Sequence, residues 1–296
     1  MLKQPLTDAV RTRFFMPSPA LAPYISTYYL TEFAVKPDEV VADWLHPEWA
    51  NIRMSDTGSW QSAVGGQGLA TLPRMIGTGP TALATHFAVT GPARTWGIGI
   101  LPRGWLRLVD APASQLADTT ETVCPGTRFA AFAPLYDQVF AGAPDPAGEA
   151  ARIDAFLLDL LERRPAHEDD TRVRAAHAAL VDDGVASVGE LAERLGISPR
   201  SLERLSLRAF GFSPKLLLRR QRFLRSLAQF LLDPSLTWIR TLDCHYVDQA
   251  HFVRDFRRFM TMSPSAYAAL DHPVLRSAAR ARAVAAGAAV QALHKP

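Results

Sequence analysis

Cysteine is almost missing from this sequence of 296 residues: Cys124 and Cys244 stand far apart, with no CxxC spacing and no companion histidine cluster. That scarcity argues against a disulfide framework and a structural zinc site, and it suits a reducing cytoplasm. Long apolar runs are missing too. No stretch approaches the roughly 18 apolar residues that span a bilayer, and Met1 to Ala20, with Lys3, Arg11 and Arg13, holds no secretory core. The expectation is a cytoplasmic protein, neither exported nor membrane-embedded. Nor does one sign of charge dominate, since 32 Lys and Arg against 29 Asp and Glu leave +3. With 48% hydrophobic and 21% charged residues, the composition is that of a folded globular protein.

Catalytic equipment is equally scarce. Residues 1–165 show no nucleophile with its base, no metal-ligand set and no cofactor loop, so neither an enzyme nor a cofactor is expected. His46 and His86 are isolated and read as packing or surface residues. Asp43, Glu48 and Asp56 read as solvated carboxylates, and nothing around Cys124 marks a low-pKa thiol.

What is present is organised in two halves, as the length suggests. From about Pro19 to Val123, short β-branched and aromatic runs such as Tyr24–Leu30 and Trp96–Leu101 alternate with Gly65-Gly66, Gly77-Thr-Gly-Pro80 and Gly91-Pro92. Such spacing predicts a β-sandwich or small barrel. Residues 128–183 change to a helical period, through Phe129, Phe132, Leu135 and Val139, then Ile153, Phe156, Leu157, Leu160 and Leu161. A break at 163–170 and a helix at about 171–182 place the domain boundary between 165 and 186.

The C-terminal third repeats itself. Ser201-Leu-Glu-Arg204 with Ser213-Pro214 returns fifty residues later as His251-Phe-Val-Arg254 with Ser263-Pro264. Ser187 and Glu190 form a capping box before the stripe Val188, Leu191, Ala192 and Leu195, and Gly196 ends that helix. Ser198-Pro199 opens a second helix that Gly211 closes, which makes a helix-turn-helix. Ser213-Pro214 then opens a 19-residue helix to Leu232, about 28 Å long at 1.5 Å per residue. A second unit follows: a helix at 235–244, a turn at Tyr246-Val247, and a helix from Gln249 to Phe259 capped by Asp248. The charge is concentrated here. Residues 187–270 hold 13 Arg and Lys against 7 Asp and Glu, hence +6, while the rest has 19 against 22, hence −3. A local positive field of this kind is a nucleic-acid footprint.

The second helix of such a unit lies in the major groove and meets base edges with its outward, N-terminal side chains. These are Arg200, Ser201, Glu203 and Arg204 in the first unit and Gln249, His251 and Arg254 in the second, with Val253 facing a thymine methyl. Leu202, Leu205, Ala209, Phe252 and Phe256 face inward. Ser198, Arg208, Lys215, Arg219, Arg220, Arg257 and Arg258 are placed for phosphates. A single exposed arginine is ordinary; its recurrence in two units is the argument.

Residues 187–270, above all Asp248–Phe259 followed by Ser263-Pro264, resemble the DNA-binding domain of AraC/XylS-type bacterial transcription regulators. The resemblance implies two helix-turn-helix units joined by a long helix, with double-stranded DNA and RNA polymerase as partners. His46–Arg53 and Gly97–Arg107 resemble the cupin-like N-terminal domain of one subgroup, which implies sensing of a small-molecule effector or dimerisation. The expected fold is α+β. A β-rich cupin-like regulatory domain with helical extension (1–165) and a linker helix (166–186) precede an all-α domain (187–270) and an Ala/Arg-rich tail (271–296), in a monomer or a homodimer joined through the first domain. Trp44, Trp49, Trp60, Trp96 and Trp105 are the candidates for an effector pocket. The alternative is an enzyme or protein-sensing module carrying a DNA-binding domain.

Against the family pattern, Arg240, Thr241 and Asp243 replace small or apolar residues, and His245 replaces a glycine. Ser206 replaces a core phenylalanine. A strained His245 and unpaired polar burial predict a weaker second unit, with DNA contact leaning on the first.

Overall fold

The computed structural model describes residues 9–232, 242–243 and 245–286. The first half holds ten strands: β1 (Val10–Phe15), β2 (Ile25–Phe33), β3 (Val40–Leu45), β4 (Ala50–Ser55), β5 (Ser59–Val64), β6 (Ala70–Thr71), β7 (Met75–Thr78), β8 (Thr85–Thr90), β9 (Ala93–Ile100) and β10 (Thr120–Thr122). They form an antiparallel six-stranded sheet, β1-β2-β9-β4-β7-β10, and a four-stranded sheet, β3-β8-β5-β6.

Period-two alternation divides the larger sheet's faces. Tyr28, Leu30, Ile52, Met54, Trp96 and Ile98 join one core with α1 (Pro102–Leu108), α2 (Leu135–Val139) and α3 (Pro146–Glu162). Their neighbours Thr27, Tyr29, Asn51, Arg53, Thr95 and Gly99 line a cavity that also reaches Trp60, Ser62, Phe87 and Val89 of the smaller sheet. Gly97 is required here, since a Cβ on it would lie 1.9 Å from the Tyr29 ring. Residues 128–139 do not make one helix. A short 3₁₀ turn at Ala130–Phe132 and α2 flank Pro134, which has no amide hydrogen for the ladder.

The second half begins with α4 (Asp170–Val181), whose Val173, Ala176 and Leu180 pack in a core with Leu191, Leu202, Phe210 and Leu217. Then come α5 (Val188–Arg194), α6 (Pro199–Phe210), α7 (Pro214–Leu232), α8 (Gln249–Met260), α9 (Pro264–Ala268) and α10 (Pro273–Ala286). The capping box at Ser187 and Glu190 is formed in full. Ser198, Asp248 and Ser263 cap α6, α8 and α9 with their side-chain oxygens. Gly196 and Gly211 take φ of +61° and +83°, as C-terminal caps need. The expected helix at 235–244, with Arg240 and Thr241, lies outside the described residues apart from Leu242 and Asp243. Among the described residues, no helix is long and apolar enough to cross a membrane.

Candidate nucleic-acid interface and the cavity behind it

The hydrophobic period of α6 buries Leu202, Leu205, Ala209 and Phe210 and leaves Arg200, Glu203, Arg204 and Arg208 exposed. Ser201 is half-buried, and its hydroxyl is 3.1 Å from that of Ser198. In α8, Phe252, Phe256 and Phe259 are buried around Phe223 of α7, with ring centroids 5.1–6.4 Å away. Gln249, Arg254, Arg257 and Arg258 are exposed. The predicted outward residues thus stand exposed at the N-terminal parts of both helices, apart from Ser201 and two on α8. The ring of His251 packs edge-on against Tyr246 at 5.1 Å, with Nε2 3.9 Å from Asp255. Val253 is half-buried against the core and so is no free contact for a thymine methyl.

Asp255 is the central residue that the sequence reading missed. It is fully buried and ion-paired to Arg219, with Arg222 at 3.9 Å and the Tyr246 hydroxyl donating at 3.1 Å. Its signal was legible: it sits three residues after Phe252, in phase with the buried stripe, so it had to be matched by cations on the facing helix. Arg219 is therefore tied to α8 while keeping part of its surface exposed. Lys215, Arg219, Arg222 and Arg225 line a groove of about 450 Å³ between the start of α5 and the turn before α8.

Two departures from the family pattern are resolved by partners. The Asp243 side chain is buried but receives Arg225 Nε at 2.5 Å, while the Asp243 amide donates to Ser226 Oγ at 2.8 Å. Burial raises its carboxyl pKa, but Arg225 and the amide and ring of His245 lower it by more, so the net shift is downward. His245 is not strained. The described non-glycine residues with positive φ are Asp118, Thr261 and His272, and the His245 amide donates to Asp243 Oδ1 at 2.9 Å. Ser206 is buried at its core position.

The C-terminal ends of the recognition helices dock on one loop of the first half, residues 79–84. The Ala84 amide donates to the Phe259 carbonyl at 2.6 Å. Gly211 faces Pro80 so closely that a Cβ would meet it at 2.6 Å. Between these contacts lies Arg220, which was expected at phosphates and is instead 1% exposed. Its guanidinium lies 3.9 Å over the Trp49 ring and donates to the Thr81 carbonyl at 2.7 Å. The reason is its phase on α7, the face turned to the β domain. Among the described residues it makes no ion pair within 4.0 Å, and its Nε has no partner. Burial pushes this guanidinium down to about 9, although Asp118 and Glu48 act against that at longer range. The loop is held from below by Asp118, whose carboxylate accepts from the Ala82 and Leu83 amides at 2.7 and 3.0 Å.

The cavity between the sheets has a volume of about 620 Å³ and is bounded by Arg220, Gln221 and Leu224 of α7, Tyr267 of α9 and Leu275 of α10. Gln221 is buried, and among the described residues its Oε1 has no partner. Of the five tryptophans predicted to form a pocket, Trp49 and Trp60 line this cavity. Trp96 and Trp105 are buried in the core under α1–α3, and Trp44 stacks on His86 at 4.4 Å. Sequence proximity did not bring them together, because neighbours on a strand point to opposite faces. Glu48 is paired with Arg53, and Asp56 with Arg94. No group of three metal-ligating residues occurs among the described residues.

Residues 191–269 match the family model described as a helix-turn-helix domain. No curated protein matches the chain. Among solved structures, the chain is similar to ToxT from Vibrio cholerae O395, at 10% identity over 88% of this chain and 97% of that one, with a TM-score of 0.42. It is similar to ToxT from Vibrio cholerae strain SCE256 bound to an unsaturated fatty acid, at 10% identity over 88% and 94%, TM-score 0.41. It is also similar to the AraC-like transcriptional activator CuxR, at 13% identity over 76% and 89%, TM-score 0.25.

Proposed function

We propose that this chain, whose residues 191–269 match a helix-turn-helix domain, is a DNA-binding transcription regulator and a sequence-specific reader of two adjacent major-groove segments. The observation that carries this reading is the matched exposure of Arg200, Glu203 and Arg204 on α6 and of Gln249 and Arg254 on α8. Arginine offers a planar fork to guanine O6 and N7, glutamate accepts from cytosine N4, and glutamine reads adenine. Arg208, Lys215, Arg257 and Arg258 take phosphates with the Ser198 cap, and Arg219, already half neutralised by Asp255, lines the basic groove between the units. His251 positions the turn through Tyr246 and is no base reader.

The two units bear equally on DNA. The argument for a weak second unit rests on Arg240, Thr241, Asp243 and His245; Asp243 and His245 are satisfied by partners, and Arg240 and Thr241 lie outside the described residues. The 19 residues of α7 give about 28 Å against the roughly 34 Å between groove faces on one side of B-DNA. The site therefore bends toward the protein, at a cost of a few kcal/mol that adds shape readout.

A second reading concerns the cavity. Its apolar walls, with an unpaired cation at Arg220 and an open acceptor at Gln221, suit a small, largely apolar effector with a hydrogen-bonding or anionic end. The deciding experiment for the first reading is footprinting on the chain's own upstream DNA with salt varied. Protection of two groove segments on one face, weakening steeply with salt, is expected; no protection at low salt overturns it.

A further inference from the structure

The two sheets leave an open seam. Among the described residues, β1 is the edge of the six-stranded sheet and β3 the edge of the four-stranded one, and no described strand pairs with their outer backbone groups. One element covers both. Helix α10, which follows the end of the matched helix-turn-helix domain, packs across β1 and β3.

The attachment is specific. Asp43 on β3 has a buried carboxylate, and its Oδ2 accepts from the amides of Val274 and Leu275 at 2.9 and 3.0 Å. A residue 231 positions away thus caps the first turn of α10. The β1 edge amide of Thr12 donates to Ser277 Oγ at 2.8 Å. His272, at the turn into α10, adopts a φ of +47°, which a histidine holds only where its surroundings dictate it. Its ring lies between Asp43 Oδ1 at 2.9 Å and the Tyr267 carbonyl of α9 at 2.8 Å. The same helix supplies cavity wall through Val274, Leu275 and Ala278.

We infer that α10 is a strap that completes the sensor: it closes the seam over a ligand in the cavity and, through the Tyr267–His272–Asp43 chain, fastens the second helix-turn-helix unit to the β domain. Ligand occupancy and strap docking are then linked, each favouring the other by the same factor. The inference rests on the cavity reading above for its ligand, but its attachment rests on the contacts of Asp43, Ser277 and His272 alone.

The full chain is titrated with 8-anilinonaphthalene-1-sulfonate, an apolar anion, while amide hydrogen exchange is followed at 276–281. In the wild type the dye binds, Arg220→Met weakens it, and bound dye slows exchange in α10. Asp43→Ala, which removes the cap from the sheet side, and Ser277→Ala, which removes from the helix side the acceptor of the Thr12 amide, each lie outside the cavity lining, and each speeds α10 exchange and weakens dye binding by about tenfold. Ser277→Ala leaves the sandwich sequence intact, so a folding defect in Asp43→Ala does not blur the result. Dye binding that responds to Arg220→Met but is indifferent to both strap variants overturns the strap alone. Absence of Arg220-dependent dye binding overturns the cavity reading and the linkage with it, and unchanged α10 exchange in both variants overturns the attachment.

Discussion

Three buried charges decide how the DNA-binding half holds together, and each is answered differently. Asp255 has two arginines and a tyrosine hydroxyl around it. Removing a partner from a buried pair leaves an uncompensated charge, so Asp255→Asn should cost about 3–5 kcal/mol in urea unfolding. Arg220 has no ion-pair partner among the described residues, and its burial opposes folding with the proton on. Arg220→Met, which keeps the stem over Trp49, should therefore leave stability within about 1 kcal/mol of wild type. Asp243 makes its contribution depend on pH. Its carboxyl is held below the ordinary range in the folded state by more than burial raises it. The stabilisation is therefore present above about pH 4, the unfolded value, and is lost as pH falls through the depressed folded value. The stability gap between wild type and Asp243→Asn should be widest near pH 7 and close on acidification below about pH 4; a gap that widens there refutes the assignment.

At the scale of elements, the turn after α6 is the critical joint, because Gly211 ends one recognition helix and touches the β domain at once. Alanine there would take a left-handed φ and drive its Cβ to within 2.6 Å of Pro80. Gly211→Ala should cost at least 1 kcal/mol, the usual left-handed penalty, and thermal melts should show more than Gly196→Ala does, since Gly196 also has a positive φ but no atom within 4 Å of an added Cβ. Such joints explain what the sequence made legible. Caps and helical periods are local, so α5–α9 were readable from Ser, Pro and Gly at helix ends, and the outward arginines of α6 and α8 followed from phase alone. The strand runs were readable from their alternation. Which face of each strand met the cavity was not, because it depends on pairing between strands as distant as β2 and β9. Arg220 was misread for the same reason: on α7 alone it is one more basic residue, and only the docked loop at 79–84 makes its face an interior.

On the scale of the molecule, the basic side chains of the helix-turn-helix half split between those left exposed and those engaged within the fold. Arg219, Arg222 and Arg225 are engaged with Asp255 and Asp243, and Arg220 is buried. Among the described residues of 187–270, the exposed cations are Arg200, Arg204, Arg208, Lys215, Arg254, Arg257 and Arg258, with Arg194 exposed but paired to Asp182. If the reading of two adjacent groove segments is right, base readers and phosphate contacts should separate in a salt titration of promoter binding. Arg204→Ala and Arg254→Ala should each cost about 1–3 kcal/mol on the cognate site and relax specificity at one position. Arg257→Ala should weaken cognate and unrelated DNA alike and lower the slope of log K against log salt by about 1. The two arginine readers belong to units held by the same loop, so their losses should be similar. A loss for Arg204→Ala that dwarfs that of Arg254→Ala would return the second unit to a supporting role. Equal and negligible losses would move sequence reading off both helices.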